Sequence, residues 1–226
     1  MTAGPGVCLR YWDGATSLGA VVAVSTRHGG VSVDPYASLN LGLHVQDEAT
    51  RVVDNRGRAA TAFGVTLDDM VFAEQVHGAN ATFVGASDRG RGCRELSDAI
   101  AATDILLTTD IGTTLVMLVA DCVPIALIDP LARILAVVHA GWRGTAARAV
   151  AVAVGAMVDA GGNPANINAF LGPAVSQSRY QVDEPVYRSL REAVDPTPLL
   201  PAVALADGPD RWLIDLIAAN RQQLVL

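Results

Sequence analysis

Short apolar runs separated by polar turns constrain the fold of this 226-residue chain more than any other feature. The runs are too short for buried helices, but they have the length of buried β-strands. Longer segments with apolar residues at helical spacing lie before and after them. This pattern predicts one mixed α/β domain, and we find no internal repeat or linker that would divide it. The six runs are 70–73, 81–84, 105–107, 115–119, 125–128 and 134–138.

The segments around these runs complete the predicted secondary structure. A strand is expected over 19–26 and another over 167–171, and a Gly- and Ser-rich ordered loop over 27–47. Helices are expected wherever apolar spacing is helical and turn residues close the segment. They cover 48–64, 145–160 (buried on most sides), 184–194 and 215–225.

Composition excludes several classes of function. All 16 basic residues are Arg, so a lysine Schiff base, a P-loop lysine and a Ser-Lys dyad are impossible. A net charge of −7 argues against a nucleic acid polymer as partner. Three cysteines without a C-x-x-C pair fit a reducing compartment, and neither a signal peptide nor a membrane span is visible. We therefore expect a cytoplasmic protein, monomeric or weakly homo-oligomeric, without membrane partners.

Three apolar segments each lead into a residue that can bind a metal. His77 follows "VFAEQV", Cys122 follows "LVMLVAD", and His139 follows "ILAVV". A thiolate and two imidazoles suit zinc, and three protein ligands leave a fourth position for water or substrate. The pattern predicts a catalytic Zn²⁺ site that copper could also occupy. The spacing does not show that the three converge, so a buried structural cysteine and a turn histidine remain alternatives.

The segment "AVVHAGWRGTA" ends an apolar strand with an imidazole, an indole and a guanidinium. We expect Gly141 and Gly144 to let the backbone turn tightly beside the histidine. The planar guanidinium of Arg143 suits an anionic substrate group. In the alternative, Arg143 pairs with Asp121 or Asp129 and only braces the turn.

Other catalytic frameworks fit less well. The chain contains no G-x-S-x-G, no G-x-G-x-x-G after a strand and no H-E-x-x-H. A hydrolase with Cys122 as nucleophile, activated by His139 or His77 and acting on a cell-wall amide, remains open. A partner-binding protein without enzymatic activity is a third possibility.

Five motifs resemble, in order, those of the YfiH-like laccase-domain family. They are "STRHGGVSVDPYASLNLGLHVQD", "EQVHGA", "TDILLTT", "ADCVPIALIDP" and "VVHAGWRGTA", and the resemblance runs from about Ser25 to Leu224. Members have been described as multicopper polyphenol oxidases, purine nucleoside phosphorylases and a peptidoglycan editing factor. The resemblance implies a single α/β/β/α sandwich with mixed sheets. It also places the family's metal ligands on His77, Cys122 and His139.

The resemblance further implies zinc-dependent phosphorolysis of adenosine, inosine and methylthioadenosine, with adenosine deamination as a second activity. Purine nucleoside and phosphate would then be the partners. Asp121, beside the cysteine, is a candidate acid or base. Arg27, Asn40 and Arg143 are assigned to substrate binding. Multicopper oxidases gather several coppers largely through imidazoles, and four histidines in the chain make that activity a weaker alternative, like peptidoglycan editing.

Two departures from the family pattern are visible. The family usually carries a Cys-Tyr pair after its "GPA" segment, whereas here Arg179 precedes Tyr180. Family members also continue past "NRQQL" into a further strand. We therefore expect that a C-terminal family segment is missing from this single domain over 1–226.

Overall fold

The computed structural model describes residues 6–193 and 202–225, which contain twelve β-strands and six α-helices. None of these helices has the length and apolar character needed to cross a membrane. The strands are β1 Leu9–Tyr11, β2 Ala23–Ser25, β3 Met70–Phe72, β4 Ala81–Phe83, β5 Ile105–Thr108, β6 Thr114–Val116, β7 Val123–Asp129, β8 Ile134–Ala140, β9 Asn168–Leu171, β10 Gln181–Asp183, β11 Ala204–Ala206 and β12 Arg211–Ile214. The helices are α1 Asp13–Ser17, α2 Ala49–Phe63, α3 Trp142–Ala146, α4 Ala149–Asp159, α5 Glu184–Glu192 and α6 Leu216–Leu224.

The main sheet has five strands in the order β4-β5-β8-β7-β9. The β4 and β5 strands run parallel, and every other neighbouring pair is antiparallel, so the sheet is mixed. Alternate residues of a strand point to opposite faces. In β8, Ile134, Ala136 and Val138 therefore join the core that includes Val150 and Met157 of α4. Val137, between them, faces the other side of the sheet.

A parallel pair, β3 and β6, covers that other side of the main sheet. Val71 and Leu115 of this pair pack with Leu106 and Val137 of the main sheet. Met70 and Phe72 of β3 pack on their far side against Ala60 of α2. The layers therefore follow one another as α4, main sheet, β3–β6 and α2. This order confirms the expected α/β/β/α sandwich with mixed sheets.

The predicted loop over 27–47 contains neither helix nor strand, and α2 holds it in place. Asn55, fully buried in α2, accepts a hydrogen bond from the Val31 N–H (2.7 Å) and donates one to the Asn40 carbonyl (2.9 Å). Arg56 donates to the Leu41 carbonyl at 2.7 Å. These bonds satisfy backbone groups that the loop itself leaves unpaired, so an irregular segment is fixed.

Several predicted elements need correction. The helix expected over 145–160 is two helices, α3 and α4, because Arg148 takes a left-handed conformation with φ 59° between them. It is also buried on one side only, since Val152 and Val158 are 39% and 41% exposed. The strand expected over 19–26 shortens to β2. The helix expected over 184–194 ends as α5 at Glu192, and its predicted end at Val194 lies outside the described residues.

Candidate metal centre

Three separate segments bring His77, Cys122 and His139 together. His139 lies near the end of β8, and Cys122 directly precedes β7. Because β7 and β8 are antiparallel, with Pro124 opposite His139, the start of one strand meets the end of the other. The loop after β3 adds His77, whose ring lies 4.8 Å from the His139 ring between centroids. The three potential ligand atoms all lie within 4.8 Å of one another.

Asp104, which is not among the site residues predicted from the sequence, contacts the His139 side chain and the backbone of the His77 loop. Its Oδ1 lies 2.8 Å from Nδ1 of His139, and the carboxylate is fully buried. The same carboxylate accepts the N–H groups of Val76 (3.2 Å), His77 (3.0 Å) and Gly78 (2.7 Å). These bonds hold His77 at φ 62°, a left-handed backbone that few non-glycine residues adopt. A charged residue directly before the fully buried strand β5 was the signal that sequence reasoning missed.

The surroundings shift the pKa values of the two histidines in opposite directions. Burial lowers the pKa of His77, and the nearby charges of His139 and Arg143 lower it further. Burial would also lower the pKa of His139, but hydrogen bonds to Asp104 and Cys122 outweigh it and raise this pKa to about 9. For Asp104, burial alone would raise the pKa, but the hydrogen bonds from His139, Gly78 and Val76 and the charge of His139 together lower it. A metal bound here would therefore have to displace a proton from His139 at neutral pH, whereas the lowered pKa of His77 favours its neutral form, which can bind a metal.

Space, rather than conformational freedom, explains the glycines of the "HAGWRG" turn. Gly141 has φ −77°, which any residue adopts. A Cβ there would lie 2.7 Å from Sγ of Cys122 and 3.5 Å from Cδ2 of His77. A Cβ at Gly144 would lie 3.2 Å from the carbonyl oxygens of Gly78 and His139. The expected tight turn is present: Gly141 allows close approach to the side chains of Cys122 and His77, and Gly144 allows close approach to the backbone carbonyls of Gly78 and His139.

The donor set fits a transition metal. Two imidazoles and one thiolate are ligands of zinc and of copper. In a tetrahedral site with bonds of about 2.0–2.3 Å, two ligand atoms of one zinc ion lie about 3.3–3.6 Å apart. The three candidate ligand atoms lie within 4.8 Å of one another, so binding one ion would draw their side chains closer together. A three-ligand site leaves one coordination position free, as catalytic zinc sites do.

A cavity of about 1260 Å³ opens beside the three ligands. Arg27, Asn40 and Asp121, all predicted site residues, line it together with the ligands. Arg27 already donates from Nε (3.2 Å) and Nη2 (2.6 Å) to the Ala37 carbonyl. The Asn40 amide donates to Asp47 and accepts from the Gly42 N–H. Asp121 is exposed and lies in the cavity wall beside Cys122.

Arg143 is exposed and lies outside the lining of this cavity. Its guanidinium carbon lies 4.4 Å from the centroid of the neighbouring Trp142 ring. Within residues 6–193 and 202–225, no carboxylate forms an ion pair with it, and Asp129 instead accepts backbone N–H groups, for example that of Asn163 at 2.8 Å. The alternative in which Asp121 or Asp129 braces Arg143 is therefore wrong. The positive charge of Arg143 thus has no carboxylate partner among the described residues, and it helps to lower the pKa of His77.

Comparison with known proteins gives consistent matches over most of the chain. The family model described as "Multi-copper polyphenol oxidoreductase laccase" matches residues 21–226. The chain is 41% identical to purine nucleoside phosphorylase YlmD of Geobacillus stearothermophilus, over 92% of this chain and 75% of that protein. It is 36% identical to adenosine deaminase RL5 of an unknown prokaryotic organism, over 96% and 82%. The crystal structure of the Geobacillus YlmD superposes with a TM-score of 0.87 at 40% identity, covering 91% and 76%.

The matched part is shorter than the relatives themselves. It spans 62% of the phosphorylase YlmD of Bacillus subtilis and 65% of a phosphorylase of Corynebacterium glutamicum.

Proposed function

We propose that this chain, which belongs to the family described as multi-copper polyphenol oxidoreductase laccases, is a metal-dependent enzyme that cleaves purine nucleosides with phosphate. The observation that carries the proposal is the open three-ligand cluster of His77, Cys122 and His139 at the wall of a large cavity. Relatives named purine nucleoside phosphorylase and adenosine deaminase support an enzyme acting on nucleosides.

Zinc is the metal we propose, with adenosine, inosine and methylthioadenosine as substrates and adenosine deamination as a second activity. When bound, zinc supplies Lewis acidity and lowers the pKa of water. Arg143 and Arg27 would hold phosphate, because a guanidinium pairs with two phosphate oxygens at once. Asn40 would orient the nucleoside. Asp121, exposed beside the cluster, would exchange a proton with the purine as it leaves.

Polyphenol oxidation is less well supported by this ligand inventory. A multicopper oxidase needs several groups of imidazoles. The chain has four histidines, and two of them, His28 and His44, lie outside the described cluster of three. The single described cluster, with two imidazoles and one thiolate, offers enough ligands for one metal ion.

We propose a reducing compartment, the cytoplasm, as the location of this chemistry. All three cysteines, Cys8, Cys93 and Cys122, are free thiols. A reducing environment keeps the Cys122 thiol available as a ligand.

Product analysis tests the proposed reaction directly. With adenosine and phosphate, the protein should release adenine and a ribose phosphate. Omitting phosphate should stop adenine release but leave inosine formation intact, because deamination consumes water and no phosphate. Chromatography of the products measures both. Absence of both purine products from zinc-loaded protein would contradict the proposal.

A cysteine hydrolase acting on peptidoglycan precursors is a second candidate, and one observation favours it. Cys122, His139 and Asp104 form a thiol–imidazole–carboxylate series, in which the His139 imidazole contacts both of its neighbours. Such a series activates a nucleophile. Cleavage of a muropeptide by chelator-treated, metal-free protein, without any reaction of adenosine, would favour this candidate.

Arg143→Ala should separate phosphate binding from the rest of the reaction. A charge-assisted hydrogen bond contributes roughly 1.5–3 kcal/mol, so we expect the KM for phosphate to rise about ten- to hundredfold. Deamination should change much less, since it needs no phosphate. Steady-state kinetics with each substrate varied in turn measures the difference.

Arg133→Ala is a matched control for that variant, because it removes a different exposed arginine, one that lines the cavity but has no assigned role. Equal losses of phosphorolysis and deamination in Arg143→Ala, together with a lower Tm, would show instead that this side chain only supports the turn.

A further inference from the structure

Asp104 is the only residue that contacts both the His77 loop and the His139 ring among the hydrogen bonds of the described residues. It comes from neither ligand segment and is buried at 0% exposure. We propose that Asp104 is a positioning residue that fixes the tautomer of His139, so that Nε2 presents its lone pair to the metal. This inference rests on the metal site proposed above.

The geometry defines which nitrogen of His139 is available. Nδ1 lies 2.8 Å from Oδ1 of Asp104, and a carboxylate can only accept, so Nδ1 carries the proton. In the neutral ring the other nitrogen, Nε2, then keeps its lone pair. A carboxylate that orients a ligand histidine in this way is a recurrent feature of zinc sites.

Both oxygens of the Asp104 carboxylate accept hydrogen bonds, so an asparagine at this position cannot keep all of them. Oδ1 also accepts the His77 N–H, and Oδ2 accepts the N–H groups of Val76 and Gly78. In Asp104→Asn, one of these positions becomes an NH₂ donor. Placed at Oδ2 it would face two N–H groups, whereas at Oδ1 it would face only the His77 N–H. The second orientation leaves fewer unpaired donors and is therefore favoured.

In that orientation the new amide donates to Nδ1 of His139. The neutral ring must then carry its proton on Nε2, where no metal can bind. Asp104→Asn should therefore lower zinc affinity about ten- to hundredfold, the range typical for partners of metal-bound histidines. At a pH at which the His139 ring of the metal-free protein is neutral, the variant should also reverse its tautomer.

Asp129→Asn is a matched control. Asp129 is also buried at 0% exposure and also accepts three backbone N–H groups, from Leu131, Ala132 and Asn163, but it contacts no imidazole. Both variants lose comparable bonds to backbone groups, so both should lower the Tm of the metal-free protein. Only Asp104→Asn should change zinc binding.

The experiment combines zinc titration against a chromophoric chelator with ¹⁵N NMR of the histidine side chains. We expect weaker zinc binding in Asp104→Asn and, at a pH at which the wild-type His139 ring is neutral, a proton on Nε2 instead of Nδ1, with Asp129→Asn unchanged from the wild type in both measurements. Unchanged affinity and unchanged tautomer in a folded Asp104→Asn protein would overturn the role of Asp104 alone. If that variant does not fold, the zinc-loaded wild type decides: coordination through Nε2 supports the role, and coordination through Nδ1 overturns it. A wild type that binds no zinc would overturn the metal site itself.

Discussion

Cys122→Ala should abolish zinc binding and, with it, both proposed activities. The purified wild type should contain close to one equivalent of zinc, because three ligand atoms lie within 4.8 Å of one another. Removing the thiolate leaves two imidazoles, and the loss of affinity should exceed the ten- to hundredfold typical for a partner of a ligand. Elemental analysis of protein prepared without added copper measures the metal content, since copper binds such donors more tightly.

Two further cysteine variants sharpen this prediction. Cys8→Ala removes an exposed free thiol and should leave the zinc content unchanged. Cys122→Asp supplies a carboxylate, which can bind zinc but cannot act as a thiol nucleophile. Partial zinc content and partial activity in Cys122→Asp would support the metal role. Full zinc content in a triple alanine variant of His77, Cys122 and His139 would refute the site.

Zinc affinity should fall steeply as the pH falls from about 9 to about 6.5. Hydrogen bonds to Asp104 and Cys122 raise the pKa of His139 to about 9, so below this pH zinc must displace a proton. The contribution of His139 is roughly tenfold per pH unit, or about two orders of magnitude over this range. Competition titrations with a chelator of known pH dependence measure it.

The same proton has the opposite effect on the stability of the metal-free protein. The folded pKa of His139 lies above the unfolded value of 6.5, so the protonated form stabilises the fold. That contribution is complete below about pH 6.5 and is lost as the pH rises through about 9. The Tm of the metal-free protein should therefore decrease over this range while the zinc-loaded protein gains stability. A zinc affinity that does not vary between pH 6.5 and 9 would contradict the raised pKa.

Local patterns in the sequence were sufficient for the main elements. The helix predicted over 48–64 is α2, and Gly64 ends it with φ 86°. Each of the six apolar runs overlaps one of the strands β3 to β8, although β5, β7 and β8 extend beyond their runs and β6 starts one residue before its run and covers only its first two residues. A strand that is buried on both faces needs an unbroken run of apolar residues, and such runs can be recognised in the sequence. The break at Arg148 was not visible, because alanine- and valine-rich residues on both sides continue a helical pattern.

The sequence by itself also determined the chemistry available: the chain offers no lysine, four imidazoles and three thiols, and His77, Cys122 and His139 stand beside apolar runs. Tertiary structure decided which of them meet. The antiparallel pairing of β7 and β8 brings Cys122 beside His139, and that pairing depends on contacts far apart in sequence. The partners of Asp104 became visible only in the fold, because they lie 26 to 35 residues away and a carboxylate's hydrogen bonds leave no periodic pattern along a chain.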